Sequence, residues 1–170
     1  GAERTGPEAV RAVRKRHCEH YAALGSESQI KVLDGATAWE ALGRLLRQRD
    51  NLTAALDWAL DAGSLHHAVD LARALQEVAK HHGPLTLAQG RVNHILTLPG
   101  LSESARIDLA TRQAELMVLA GDVETAKETL LQLREGAAAL DSPRLLAKVV
   151  VVLGNMEIES DAPNAARPHL

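Results

Sequence analysis

The chain has 170 residues and a net charge of −3, so nothing in its global charge draws it towards nucleic acid or an anionic membrane. Hydrophobic residues make up 46% and charged ones 24%, while aromatics are only 2% and Phe is absent. A core built from Leu, Ala and Val suits closely packed helices and suits β-sheet poorly, so the expected class is all-α.

One cysteine, Cys18, cannot form an internal disulfide, which points to a reducing cytoplasm. The longest apolar candidate, KVVVVL from Lys148 to Leu153, falls far short of the roughly 18 residues that span a bilayer, so no membrane contact is expected. The N-terminus, GAERTGPEAV, lacks both the apolar stretch of a signal peptide and an initiator Met. With the last residues lying inside an apparent helix, the expectation is a piece of a longer protein.

In chain order, Pro7 is placed to open a first helix, because its missing N–H costs nothing at the first helical position. Val10, Val13, His17, Tyr21 and Leu24 follow at helical spacing, and Gly25 ends the run. The charges of Arg11, Arg14, Lys15 and Arg16 have no interleaved aromatics and read as a solvated face. Ser26 to Gly35 is polar and reads as a loop with at most one helical turn.

Thr37-Ala-Trp-Glu40 has the form of a capping box. The helix it opens carries Trp39, Leu42 and Leu46 on one face. Around Arg49-Asp50-Asn51 a tight junction separates it from a second helix, whose buried side is Leu52, Leu56, Ala59 and Leu60. Trp39 and Trp58 both fall among apolar positions and are expected in the core. Asn51 is a poor helix former and is expected to cap a helix or bond a neighbouring backbone.

Ser64 is placed to cap the next helix, with Ala68, Leu71, Ala72, Leu75, Val78 and Ala79 inward, stopped at Gly83-Pro84. A shorter helix follows with Leu87 or Ala88, Val92, Ile95 and Leu96, ending at Leu98-Pro99-Gly100. Ser102 caps a helix with Ile107, Ala110, Ala114 and Met117 inward, finishing near Gly121. Val123, Ala126, Leu130 and Leu133 mark the next. Asp141-Ser142-Pro143 is a fresh start, continued by Leu146, Val149, Val150 and Leu153, and Pro163 opens a last helix. Gly43 and Gly136 are helix-interior glycines, each costing about 1 kcal/mol against Ala.

Across these elements a punctuation recurs: a Gly ends a helix and an Ala stands five residues later, at Gly63/Ala68, Gly83/Ala88 and Gly121/Ala126, with a weaker copy at Asp161/Ala166. A terminal Gly supplies the left-handed residue of the turn, and an early Ala lets the two helices approach closely. Repetition of this unit describes antiparallel helix pairs in series, an α-solenoid. Three parts are expected: residues 1–36 as an N-terminal helix and linker, 37–100 as the first helical pairs, and 101–170 as degenerate repeats.

These repeats resemble the tetratricopeptide pattern. Gly121 and Ala126 match its turn and its small residue, Leu153-Gly154 its Leu-Gly pair, and Ala166 the next small residue. Ala126 and Ala166 stand 40 residues apart, where the standard repeat is about 34. The stretch Arg16-His17 to Tyr21 and Leu24, followed by LLRQRDNLTAALDWAL from Leu45 to Leu60, is similar to the helical arm of bacterial signal-transduction ATPases of the NB-ARC or AAA type. Asp50, Asn51, Leu52, Ala55, Leu56, Trp58, Ala59 and Leu60 carry that similarity. Many members are LuxR-type or AfsR-like transcriptional regulators, or are fused to protein kinases.

The resemblance implies a TPR-like domain that senses a protein segment or small effector and holds an ATPase domain elsewhere in the parent chain. The phosphate loop G-x-x-x-x-G-K-[ST] is missing from this sequence, so the ATPase itself is not here. The helix after Gly63 is built of Ala, Leu and Val, where such arms often carry aromatics.

Catalytic and metal chemistry finds little support. His17 and His20 stand at i, i+3, but a closed zinc site needs two more ligands and no second cluster has matching spacing. Cys18 as a nucleophile would need a base and an electropositive pocket; histidines stand nearby but nothing else of a catalytic site does, so a buried or half-buried small residue is expected. His66-His67 begins a helix, and His81-His82 ends one, where imidazolium is favoured by the helix dipole. Glu124, Glu128, Glu157 and Glu159 are scattered along solvated faces. No enzyme activity and no cofactor are expected. If first helices of pairs line a concave binding surface, Arg106, Arg112 and Gln113 are the candidates. The competing expectation is an oligomerisation or spacer element that associates through an exposed Leu/Val face such as Lys148 to Leu153.

Overall fold

A computed structural model of the protein describes residues 6–161, and among the described residues the regular structure is entirely helical. The chain divides into two compact units, Gly1–Leu101 and Ser102–Leu170. No described helix is long and apolar enough to cross a membrane.

The first unit contains α1 (Pro7–Ala22), a 3-10 turn at Ala23–Gly25, α2 (Glu27–Lys31), a second 3-10 turn at Val32–Asp34, α3 (Ala38–Arg47), α4 (Arg49–Asp61), α5 (Leu65–His82) and α6 (Leu85–Thr97). Helix α5 is its hub, packing against α1, α3, α4, α6 and the first 3-10 turn. The sequence permits this because apolar and small residues occupy several faces of α5: Ala68, Val69, Leu71, Ala72, Ala74, Val78 and Ala79 are all buried. The closest approach is at Gly25, where an added Cβ would lie 1.7 Å from the carbonyl oxygen of Asp70.

Consecutive helices pack together through α4, α5 and α6, as a series of hairpins requires. Helix α1 departs from the series: it lies on α4 and α5, past the short α2 and α3. The polar stretch read as a loop is therefore organised, with α2 burying Ile30 beneath two 3-10 turns.

The second unit contains α7 (Glu103–Leu119), α8 (Val123–Ala139) and α9 (Pro143–Asp161), each packed on the other two. Its core holds Ile107, Ala114, Ala126, Leu130, Ala137, Leu145, Val149, Val152 and Met156. Gly136 is the point of close approach between α8 and α7, since a Cβ there would meet Ile107 Cδ1 at 3.4 Å.

One turn recurs in both units with the same hydrogen bonds. At the end of α4, Gly63 N–H donates to Leu60 O and Ser64 N–H to Ala59 O. At the end of α7, Gly121 donates to Val118 and Asp122 to Met117; at the end of α8, Asp141 donates to Ala138 and Ser142 to Ala137. This is the Schellman pattern, with the first donor left-handed: φ is 68° at Gly63, 90° at Gly121 and 49° at Asp141. Asp141 fills a role the sequence assigns to glycine, and Asp is among the few side chains that tolerate it. Gly83 also has positive φ, 55°, but it precedes a cis peptide to Pro84 and makes a different corner. Ala68, Ala88 and Ala126 are buried one turn into the helices that follow the glycines.

Several sequence expectations about inward faces are corrected. Val10 and Val13 are exposed, Val13 by 55%, because α1 is buried only along Cys18 and Ala22 at its end. Trp39 is 81% exposed: the inward ridge of α3 is Leu42 and Leu45, and Trp39 lies on its flank in the first turn. Trp58 is half-buried. Leu87 is exposed and Ala88 points inward; Val123 is exposed at the start of α8. In α9 the buried row is Leu145, Val149, Val152 and Met156: of the expected positions Val149 is fully buried, Leu146 and Leu153 are partly buried against the core, and Val150 is exposed. Four consecutive valines give no phase of their own, which is why the sequence left the rotation of α9 open.

The caps are also corrected. Neither Thr37 nor Ser64 accepts a backbone hydrogen bond through its hydroxyl, whereas Ser102 Oγ accepts from Ala105 N–H at 3.2 Å. Pro163 and Ala166 lie outside the described residues.

Candidate binding groove

The two segments that carry the family resemblance meet at one side chain. Gln48 sits in the single-residue junction between α3 and α4, with φ −102° and ψ 9°. Its Oε1 accepts from Tyr21 Oη–H of α1 at 3.2 Å and from Asn51 Nδ2–H at 2.8 Å. Asn51 therefore binds a side chain across the junction, where a backbone partner was expected. Behind it, Leu52, Ala55, Leu56 and Ala59 form the fully buried face of α4.

On the same helix a groove opens between α4, α5 and α6. Arg49 and Thr53 come from α4, Leu75, Val78 and Ala79 from α5, and Leu87, Ala88 and Arg91 from α6, with Gly83-Pro84 at the closed corner. The Gly83-Pro84 corner separates the end of α5 from the start of α6, and the small Ala79 and Ala88 leave the space unfilled. The cavity measures about 40 Å³, room for roughly three waters or one branched apolar side chain.

Its floor is apolar and its rim carries two guanidinium groups. Arg91 Nη1 lies 3.3 Å from Asp57 Oδ1, yet that nitrogen is buried and has no hydrogen bond of good geometry. Arg49 Nε donates to the exposed Asp50 Oδ1 at 3.3 Å.

Arg106, Arg112 and Gln113 do not form a common exposed surface. Arg106 is half-exposed and pairs with Glu103 at 3.4 Å. Arg112 Nε lies 3.9 Å from Asp108 Oδ1, and Gln113 is 3% exposed. Asp108 also accepts from Lys148 Nζ of α9, so a buried carboxylate with two cations ties α9 to α7. Burial, then the neighbouring Arg112, lowers the Lys148 pKa, while Asp108 and Glu115 oppose the shift. Thr111 Oγ–H donates to Ile107 O at 2.7 Å, closing its polar group locally. This cluster holds two helices together.

The histidine and cysteine candidates are also placed in packing roles. His17 and His20 flank Tyr21, with ring centroids 4.6 Å and 4.9 Å away. Cys18 is fully buried, and burial pushes its thiol pKa up, away from the thiolate a nucleophile needs. His67 Nδ1 lies 2.9 Å from Ser64 Oγ, and its pKa is lowered by burial first and by His66 second. Among the described residues no group of three His, Cys, Asp or Glu could hold a metal ion. Sequence reasoning missed the groove because Arg49, Ala79 and Arg91 are unremarkable on their own helices, and Gly83-Pro84 reads in the sequence only as a helix stop.

No protein-family model matches the chain, and neither a curated protein nor a solved structure matches it significantly.

Proposed function

We propose that the chain is a non-catalytic, TPR-like interaction or effector-sensing arm of a bacterial signalling ATPase or transcriptional regulator, working in the cytoplasm. The observation that carries this reading is the junction at Gln48. The His17–Tyr21 and Asp50–Leu60 segments resemble two separate parts of such an arm, and Tyr21 and Asn51 share one acceptor there. The recurring Schellman turns at Gly63, Gly121 and Asp141 support a chain of stacked helix pairs in the manner of a solenoid. The arm's partner is a protein segment or small effector, and within the parent chain it holds the ATPase domain. Such an arm acts by binding its ligand with different affinity in the closed and open states, which shifts the balance between them.

The test begins with the reading frame upstream of Gly1, where a phosphate loop is expected. ATP turnover of the full parent protein should then rise when residues 37–160 are deleted. An upstream frame with no nucleotide-binding domain refutes the assignment.

A second reading, an oligomerisation or spacer element, is favoured by the exposed apolar side chains of α9: Val150, Val151 and Ile158, the last 71% exposed. Light scattering across a dilution series separates the two, since a strict monomer at all concentrations removes association through α9.

A further inference from the structure

We propose that the projecting, basic half of α1 docks on the acidic outer ridge of α8 in a second copy of the chain, so that copies join head to tail. The first surface is Pro7–Arg16. Helix α1 buries only Cys18 and Ala22, and Arg11, Arg14, Lys15 and Arg16 are all exposed ahead of them. Val10 and Val13 form a bare apolar edge beside these charges. Over this stretch four cations stand against the single carboxylate of Glu8.

The second surface lies opposite the core row Ala126, Leu130 and Ala137 of α8. Glu124, Glu128, Leu131 and Glu135 recur there at helical spacing, all exposed, with Leu131 as the apolar centre. From Asp122 to Ala139 four carboxylates stand against Lys127 and Arg134. Among the described residues, none of Arg11, Arg14, Arg16, Glu124, Glu128 and Glu135 has an ion-pair partner, while Lys15 meets Glu19 at 3.7 Å.

Each ridge repels itself. Arg11 with Lys15, and Glu124 with Glu128, are like charges one helical turn apart, an arrangement that destabilises a helix. Laying one ridge along the other sets attraction against both repulsions and covers Val10 and Val13 with Leu131. Two other partners fit α1 less well. Nucleic-acid surfaces interleave aromatics with their charges, and Pro7–Arg16 has none. A membrane-lying helix carries Trp, Phe or Leu on its apolar edge, where α1 has two valines. The contact uses different faces on the two copies and therefore builds rings or open chains. Pro7–Arg16 is about 15 Å of helix, too short for a permanent interface, so the association is weak and reversible.

This inference adds a surface, apart from α9, to the oligomerisation reading and does not depend on the ATPase assignment. The test is light scattering of the intact chain over a concentration series. Mean mass should climb with concentration in low salt and return to that of the monomer in about 0.5 M salt, where exposed charges are screened. The association constant should fall about tenfold or more in Arg11→Glu/Arg14→Glu and in Glu124→Lys/Glu128→Lys, all at exposed positions, with circular dichroism showing that each variant is folded.

The decisive step mixes the two variants. Each alone should stay monomeric, whereas an equimolar mixture should form a dimer that grows no further, because each keeps the half of the contact that the other lacks. A wild-type monomer at every concentration in low salt, association indifferent to salt or to either variant, or a mixture that fails to dimerise would each overturn the proposal. So would loss of association in Val151→Ser/Ile158→Ser, which would place the contact on α9. None of these outcomes bears on the upstream reading frame, so the signalling-arm reading stands or falls separately.

Discussion

Replacing Gly25 by Ala asks whether α5 is the fixed hub of the first unit. The new methyl would sit 1.7 Å from Asp70 O, 2.5 Å from Asp70 C and 3.3 Å from Ala74 Cβ, where ordinary contact begins at 3.4 Å. The obstacle is helix backbone, so no side chain can rotate away. Either α5 or the Ala23–Gly25 turn must retreat by more than an ångström, and the turn carries Cys18 and Ala22 of α1 out of their buried positions with it. Overpacking of this kind costs about 1–3 kcal/mol and occasionally more, and a backbone collision belongs at the upper end. The loss of glycine's unfolded-state freedom returns roughly 0.4–1 kcal/mol, leaving a net destabilisation of about 2 kcal/mol.

Urea titration followed by circular dichroism should show a lower midpoint with an unchanged slope, and a thermal scan should show a midpoint lower by about 4–8 °C. The control is Gly90→Ala, at an exposed position inside α6 with nothing within 4 Å of the new Cβ, which should stabilise by about 0.5–1 kcal/mol. If both substitutions move stability in the same direction, or Gly25→Ala is neutral, the close contact between the turn and α5 is wrong.

Three further outcomes are expected. Leu130→Ala, at the centre of the second unit's core, should destabilise that unit by about 3 kcal/mol in a urea titration, because the site is fully buried and enclosed by helices. Asp108→Asn should cost about 3 kcal/mol by removing the carboxylate that Lys148 and Arg112 share, whereas replacing the whole cluster with apolar residues (Asp108→Leu, Lys148→Met and Arg112→Met together) should lie close to wild type; urea midpoints of the two variants read the difference. The His67 pKa is lowered in the folded chain, so below the ordinary imidazole value the unfolded chain binds more protons and stability falls with falling pH. Thermal midpoints measured from about pH 7 to pH 5 should therefore drop, and the slope should flatten in His67→Gln.

The helices were legible because their ends are written in residues with strong local preferences. Pro7, Ser102, Gly121 and Pro143 mark boundaries that the structure places within a residue or two. The α3–α4 junction was legible as an interruption at Arg49-Asp50-Asn51, although Gln48, which organises it, carries no sequence signal. Faces were harder. Trp39 and the valines of α1 are apolar at helical spacing and still face solvent, because the neighbour that would cover them depends on how far each helix runs past the next. The third Schellman turn was hidden because Asp141 stands where glycine was sought. Conversely, Gly83 matched the repeat by identity and builds a different corner. The groove follows from that corner and from two arginines distant in sequence, a combination that helical periodicity does not encode.

The exposed indole of Trp39 gives the molecule a built-in optical label. Of its two tryptophans, Trp58 is half-shielded by its surroundings while Trp39 faces solvent on a separate helix. Iodide should therefore quench the emission in two unequal fractions, the more accessible one vanishing in Trp39→Ala. A protein that settles on α3 would shift that fraction to shorter wavelength and shelter it from iodide, so its docking can be followed on the unmodified chain.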